Sequence, residues 1–227
     1  MARPPAKPRR SRLSPAERER IRTIFERLRA RDEHPKTELE YQTPFMLLVA
    51  VVLSAQATDK SVNKATEPLF RDAPTPQAML ALGEEGLIPY IASIGLFRNK
   101  AKNVIALSRI LIEKYGGEAP LNREVLQALP GVGRKTASVV LNELAVEPAI
   151  AVDTHVYRVA HRLKLSKGKT PDQVETELMA KVPDEFLTRA HHWLILHGRY
   201  TCLARRPKCE TCAISDLCPS RSLFLGA

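Results

Sequence analysis

The sequence predicts an all-α protein, and three observations carry that reading. A hydroxyl residue stands directly before proline at Ser14-Pro15, Thr43-Pro44, Thr75-Pro76 and Thr170-Pro171. Each pair reads as a helix start, because the hydroxyl caps exposed N–H groups and proline suits the first helical position, where its missing donor costs nothing. Apolar residues then recur at helical spacing or in short solid runs. No sustained alternation of apolar and polar residues occurs, so no sheet is expected.

Taken in chain order, the first helix follows Ser14, with Ile21, Ile24, Phe25 and Leu28 on one face. SPAE there and TPDQ at 170–173 carry an acid or amide at the third helical position and predict capping boxes. The run FMLLVAVVL over 45–53 is too short to cross a bilayer and fits a helix buried on all sides. Further helices are expected over 59–70, 84–93, 99–115, 122–129, 134–145, 154–164 and 184–198, with Asn122 as a cap.

At 227 residues the chain can bury a core without disulfides, as one large domain or two small ones. It lacks an eighteen-residue apolar run and the apolar stretch of a signal peptide, so a non-membrane, non-secreted, cytoplasmic protein is expected. The net charge is +10, and it is localised. Arg3, Lys7, Arg9, Arg10 and Arg12 precede the first acid, and Arg189, Arg199, Arg205, Arg206 and Lys208 lie between Glu185 and Glu210. Concentrated positive charge suits a polyanion partner through counterion release, whereas a solvated basic face is the plainer alternative. The Pro-rich residues 1–14 read as a disordered basic tail.

NREVLQALPGVGRKTASVVLN, residues 122–142, reads as helix, hairpin, helix. Gly131, Val132 and Gly133, with Arg134 behind them, form a turn whose backbone can approach one phosphate and aim N–H groups at it. Such contacts hold any duplex without reading its bases. Lys135 sits in the first turn of the second helix, where the helix dipole and Arg134 disfavour a charged ammonium. That favours a nucleophilic amine over a phosphate clamp. Asp153, in AIAVDTHVYRVAHRL, reads as an N-cap, and an ionised carboxylate there could also stabilise positive charge developing on a sugar carbon. All four cysteines fall in one stretch, Cys202, Cys209, Cys212 and Cys218, spaced C-x6-C-x2-C-x5-C. This clustering indicates a metal site; spacing alone leaves zinc and an iron–sulfur cluster both open. Arg205, Arg206 and Lys208 lie inside the first loop, so the metal is expected to brace a basic loop against DNA.

LSAQATD (53–59), IGLF (94–97), LPGVGRKTA (129–137), IAVDTHVYRV (150–159), HHWLILHGRYTC (191–202) and the cysteine spacing together resemble the bacterial endonuclease III family of helix-hairpin-helix DNA glycosylases and abasic-site lyases, over roughly residues 15–219. The resemblance implies two helical domains with a DNA-binding cleft between them. One is a six-helix domain over 37–147; the other joins 15–36 to 148–227 and holds a [4Fe-4S] cluster on the four cysteines. It implies that Lys135 attacks C1′ of an everted nucleotide with Asp153 assisting, that oxidised pyrimidines in duplex DNA and abasic sites are the substrates, and that the protein is a monomer at the bacterial nucleoid. It further implies that Gln56 and Leu96 enter the duplex and that His155 lies near the site. Ser138 stands where the motif commonly has Asn, and Phe97-Arg98-Asn99 replaces a commoner Tyr-Asn-Ser, which bears on pocket detail and opposite-base preference. The alternatives are a monofunctional adenine-type glycosylase, which usually lacks the lysine, and a non-catalytic DNA-gripping module, which would need neither Lys135 nor Asp153.

Overall fold

The computed structural model describes residues 13–225, so the basic stretch up to Arg12 lies outside the described residues. These fold into α1 (Pro15–Arg31), α2 (Pro44–Leu53), α3 (Asp59–Asp72), α4 (Pro76–Ile91), α5 (Phe97–Tyr115), α6 (Arg123–Gln127), α7 (Arg134–Glu143), α8 (Thr154–Arg162), α9 (Pro171–Lys181) and α10 (Asp184–Tyr200), followed by a 3-10 turn at Arg221–Leu223. No strand occurs among the described residues.

Each Ser/Thr-Pro pair heads a helix. Ser14, Thr43, Thr75 and Thr170 accept the N–H three residues on at 3.1–3.3 Å, and each such cap contributes about 1 kcal/mol. The capping box closes only at Thr170, where the Gln173 side chain reaches back to the cap N–H. At Ser14 the expected box stays half made. Glu17 turns its carboxylate to Arg20 instead, accepting two hydrogen bonds at 2.7 and 2.9 Å, and that guanidinium holds its carboxyl below the usual range. The expected segments from Pro76 and near residue 84 form one element broken at Gly83, whose φ of 69° and ψ of 176° no helix adopts.

The chain divides into two compact units, one from Thr37–Glu147 and one joining Met1–Lys36 to Pro148–Ala227. In the first, α2 is buried on every side, from Phe45 to Leu53, with α3, α5 and α7 against it. Fully burying each large apolar side chain there contributes about 1.5–3 kcal/mol. In the second, α10 packs on α1 and α8, and α9 packs on α8. Phe25, Phe186 and Trp193 meet with ring centroids 5.7–6.3 Å apart, and the Trp193 indole N–H donates to the Asp32 carbonyl at 2.7 Å. Gly198 permits close approach of α10 to α8: a Cβ added to it would lie 2.8 Å from the His155 Cβ.

Candidate functional site

In the Thr37–Glu147 unit, α6 and α7 form the expected hairpin. Asn122 caps α6, Leu126 and Leu129 are buried, and the Val132 N–H closes the turn on the Leu129 carbonyl at 3.1 Å. Gly131 takes φ 76°, a left-handed conformation that costs other residues energy. Val132 turns inward and is 5% exposed, whereas Gly131 and Gly133 face out. Thus α7 opens on an exposed glycine with no side-chain cap, and Arg134 and Lys135 are exposed in its first turn. Such an opening, with backbone N–H groups and the positive dipole end facing outward, is suited to an anion.

The hairpin is latched from behind. The Arg123 guanidinium donates to Ser138 Oγ at 2.7 Å and pairs with Glu147 at 3.0 Å. Ser138 is fully buried, so the departure from Asn at this position alters the packing of α6 on α7 rather than an exposed surface.

Gln56 and Leu96 lie in two turns of the same unit, before α3 and α5 respectively. Both are exposed, and both adopt left-handed backbone conformations, φ 57° and 60°. Leu96 is 61% exposed, which removes the ordinary reading of an apolar loop residue tucked into the core. Strained conformations at non-glycine residues cost about 1–3 kcal/mol each and concentrate at functional sites.

In the other unit, Asp153 caps α8: Oδ1 accepts the Val156 N–H at 2.7 Å, and Oδ2 accepts no hydrogen bond among the described residues. His155, in the first turn of α8, places Nδ1 3.2 Å from the Arg158 guanidinium. Arg205, Arg206 and Lys208 are exposed, and the Lys208 N–H ties their loop to the Thr201 carbonyl at 2.9 Å.

Cys202, Cys209, Cys212 and Cys218 line one cavity with Arg162, His197, Lys208 and Arg221. Burial pushes the thiols of Cys209, Cys212 and Cys218 up, so a bound cation is needed to hold them as thiolates. Four thiol donors in one cavity, with the cationic side chains of Arg162, Lys208 and Arg221 to offset a negative charge, are a donor set that fits an iron–sulfur cluster.

The sequence did not single out the groups that support these cysteines. Arg158 and Arg162, one turn apart on α8, hold the start of the cysteine segment. Arg158 donates to the Gly198 and Cys202 carbonyls at 2.8 and 3.0 Å. Arg162 donates to Cys202 Sγ at 3.3 Å and to the Leu203 and Ala204 carbonyls at 2.7 Å, and stacks over Phe224. His197 places Nε2 3.8 Å from Cys212 Sγ; burial, with the Arg31 charge second, lowers it to about 4, leaving a neutral ring at pH 7.

Comparison with known proteins covers both units. The model of the HhH-GPD superfamily of base excision DNA repair proteins matches residues 49–184, and that of the iron-sulfur binding domain of endonuclease III matches residues 202–218. Endonuclease III of Haemophilus influenzae is 60% identical over 195 residues, covering 86% of this chain and 92% of that protein. Its Escherichia coli K12 counterpart is 57% identical over the same shares. A solved trapped endonuclease III–DNA covalent intermediate is similar with a TM-score of 0.84 and 44% identity, covering 92% of this chain and 97% of that one. A thermostable thymine-DNA glycosylase shares the fold at a TM-score of 0.79 and 24% identity.

Proposed function

From the premise that this chain belongs to the endonuclease III family, and is thus a base-excision-repair DNA glycosylase and abasic-site lyase that carries a [4Fe-4S] cluster, we propose that Lys135 is the nucleophile of both reactions. The observation that carries this reading is an exposed lysine in the first turn of a helix that opens, uncapped, on the exposed Gly133. The turn from Gly131 to Arg134 holds a phosphate, and the Lys135 amine nitrogen attacks C1′ of an everted nucleotide. The bond from C1′ to the base breaks, and the base leaves with a proton. Asp153, whose carboxyl group caps α8, stabilises positive charge on the sugar as that bond weakens.

The sugar ring then opens to an imine between C1′ and Lys135. The imine draws electrons from C2′, whose proton departs, and elimination breaks the C3′–O bond and nicks the strand. Water hydrolyses the imine and restores the amine. Oxidised pyrimidines suit this route, because a ring that has lost aromaticity stacks weakly and costs less to evert. Gln56 and Leu96 fill the gap left behind, and His155 contributes beside the site. Cys202, Cys209, Cys212 and Cys218 would hold the cluster, and its bonds to them would brace the loop carrying Arg205, Arg206 and Lys208 for phosphate contact. The protein acts as a monomer on duplex DNA in the bacterial cytoplasm.

Borohydride reduction tests the central step. Duplex DNA with an oxidised pyrimidine should give a covalent adduct with the wild-type protein and none with Lys135→Ala, while that variant still binds DNA. An adduct that persists in Lys135→Ala would assign the chemistry to another amine.

A further inference from the structure

The Thr37–Glu147 unit buries the amine of Lys100 in its core. Lys100 lies in the first turn of α5, is 4% exposed, and has no ion-pair partner among the described residues. Its Nζ donates to the Leu53 carbonyl at 2.9 Å. Burial lowers its pKa from the ordinary lysine range. An apolar side chain of the same length would fill this space without desolvating an amine, so packing gives no reason for a lysine here.

Its hydrogen bonds supply one. Leu53 ends α2, where carbonyls lack donors from the helix itself, and Gln56 follows three residues later in a left-handed turn. On the other side, the Lys100 backbone N–H donates at 3.1 Å to the carbonyl of Leu96, which is likewise exposed and left-handed. Beyond Leu53 the chain is steadied by short-range bonds, the Ala57 N–H to the Ser54 carbonyl at 3.0 Å and the Ser54 hydroxyl to the Val51 carbonyl at 2.9 Å. Lys100 thus holds the root of one exposed turn through its side chain and the root of the other through its backbone.

We propose that Lys100 is a positioning residue that locks the Gln56 and Leu96 turns in one fixed relation, so that both side chains reach the base stack together. The inference rests on the reading above that Gln56 and Leu96 enter the duplex. Rigid presentation matters because a group displaced by about 1 Å loses most of its effect on a reaction it positions. A methionine at position 100 would pack as well and would free the Gln56 turn from α5.

The test compares Lys100→Met with wild type, both loaded with cluster, on two substrates. One is duplex DNA with an oxidised pyrimidine, read by single-turnover excision and by fluorescence of a neighbouring 2-aminopurine. The other is a single-stranded abasic oligonucleotide, which needs no eversion from a duplex. Excision from duplex should fall on the order of tenfold, with the fluorescence change, while elimination on the single strand stays near wild type. In a Gln56→Ala/Leu96→Ala background, Lys100→Met should add nothing further.

Equal loss on both substrates, no loss on duplex, or a full additional loss in the doubly substituted background would overturn the proposal. If Gln56→Ala/Leu96→Ala itself leaves duplex excision unchanged, the insertion reading fails first and takes the proposal with it. Amide exchange gives a readout independent of activity and of overall stability. Residues 54–58 should exchange faster in Lys100→Met while residues 95–97, whose backbone bond the substitution keeps, α4 and the rest of α5 do not; a uniform rise would reduce Lys100 to a core residue.

Discussion

Gly131→Ala and Gly133→Ala make opposite demands on the hairpin, although the glycines are two residues apart. At Gly131 an added Cβ must accept φ 76°, and it would lie 3.0 Å from both Cβ and Nδ2 of Asn103. The left-handed conformation costs about 1–2 kcal/mol. The contact adds about 1 kcal/mol, because the Asn103 amide can turn aside but its Cβ is fixed to α5. Loss of glycine freedom in the unfolded chain returns about 0.5 kcal/mol. The sum is a destabilisation of about 2 kcal/mol, or roughly 4–8 °C in Tm. At Gly133, φ is −85° and nothing lies within 4 Å of an added Cβ, so the fold should accept alanine at no cost.

The surface that Gly133 leaves bare is where a phosphate would approach, so Gly133→Ala should weaken DNA binding while melting like wild type. Thermal melting and a fluorescence-anisotropy titration at fixed salt separate the two effects. A Gly131→Ala protein that melts with wild type would refute the backbone argument. A Gly133→Ala protein that binds DNA as tightly as wild type would refute the phosphate grip.

Two further outcomes follow from contacts described above. Arg162→Leu removes the donors to Cys202 Sγ and to the Leu203 and Ala204 carbonyls. The visible iron–sulfur absorbance should then bleach several-fold faster in air, and bleaching at the wild-type rate would show that the cysteine segment holds its shape unaided. Tyr41 donates its hydroxyl to Glu143 at 3.0 Å, and burial, with the Glu143 charge second, raises it from 10 to about 12. The folded state thus keeps a proton that the unfolded chain gives up near pH 10. The stabilisation is complete below pH 10 and fades as pH rises through 12. Tyr41→Phe should flatten that decline in denaturant midpoints, and an unchanged decline would place the loss elsewhere.

The parts of the fold that were legible in the sequence are those decided by neighbours along the chain. A hydroxyl before proline fixes a helix start within four residues, and so Pro15, Pro44, Pro76 and Pro171 each begin a helix. Where a second partner competes, local reading fails: Glu17 could close a capping box or meet Arg20, and it meets Arg20. The site divides the same way. The PGVG turn, Asp153 as a cap and the cysteine cluster are local patterns. Arg158, Arg162 and Lys100 bond to carbonyls 44, 41 and 47 residues away, at Cys202, Leu203 and Leu53, so no window of sequence contains both ends. The exposure of Leu96 is likewise set by the left-handed turn before α5, which its side chain gives no reason to expect.

One unit of this protein is built from both ends of its chain, with α1 resting on α10. A ribosome therefore delivers the Ile21–Leu28 stripe long before the helix that covers it. At about 5–20 residues per second the wait is on the order of ten to thirty seconds. The Thr37–Glu147 unit has no such debt and can mature while translation continues. A nascent chain whose first 147 residues have left the ribosome would carry a finished half and an apolar helix face still uncovered.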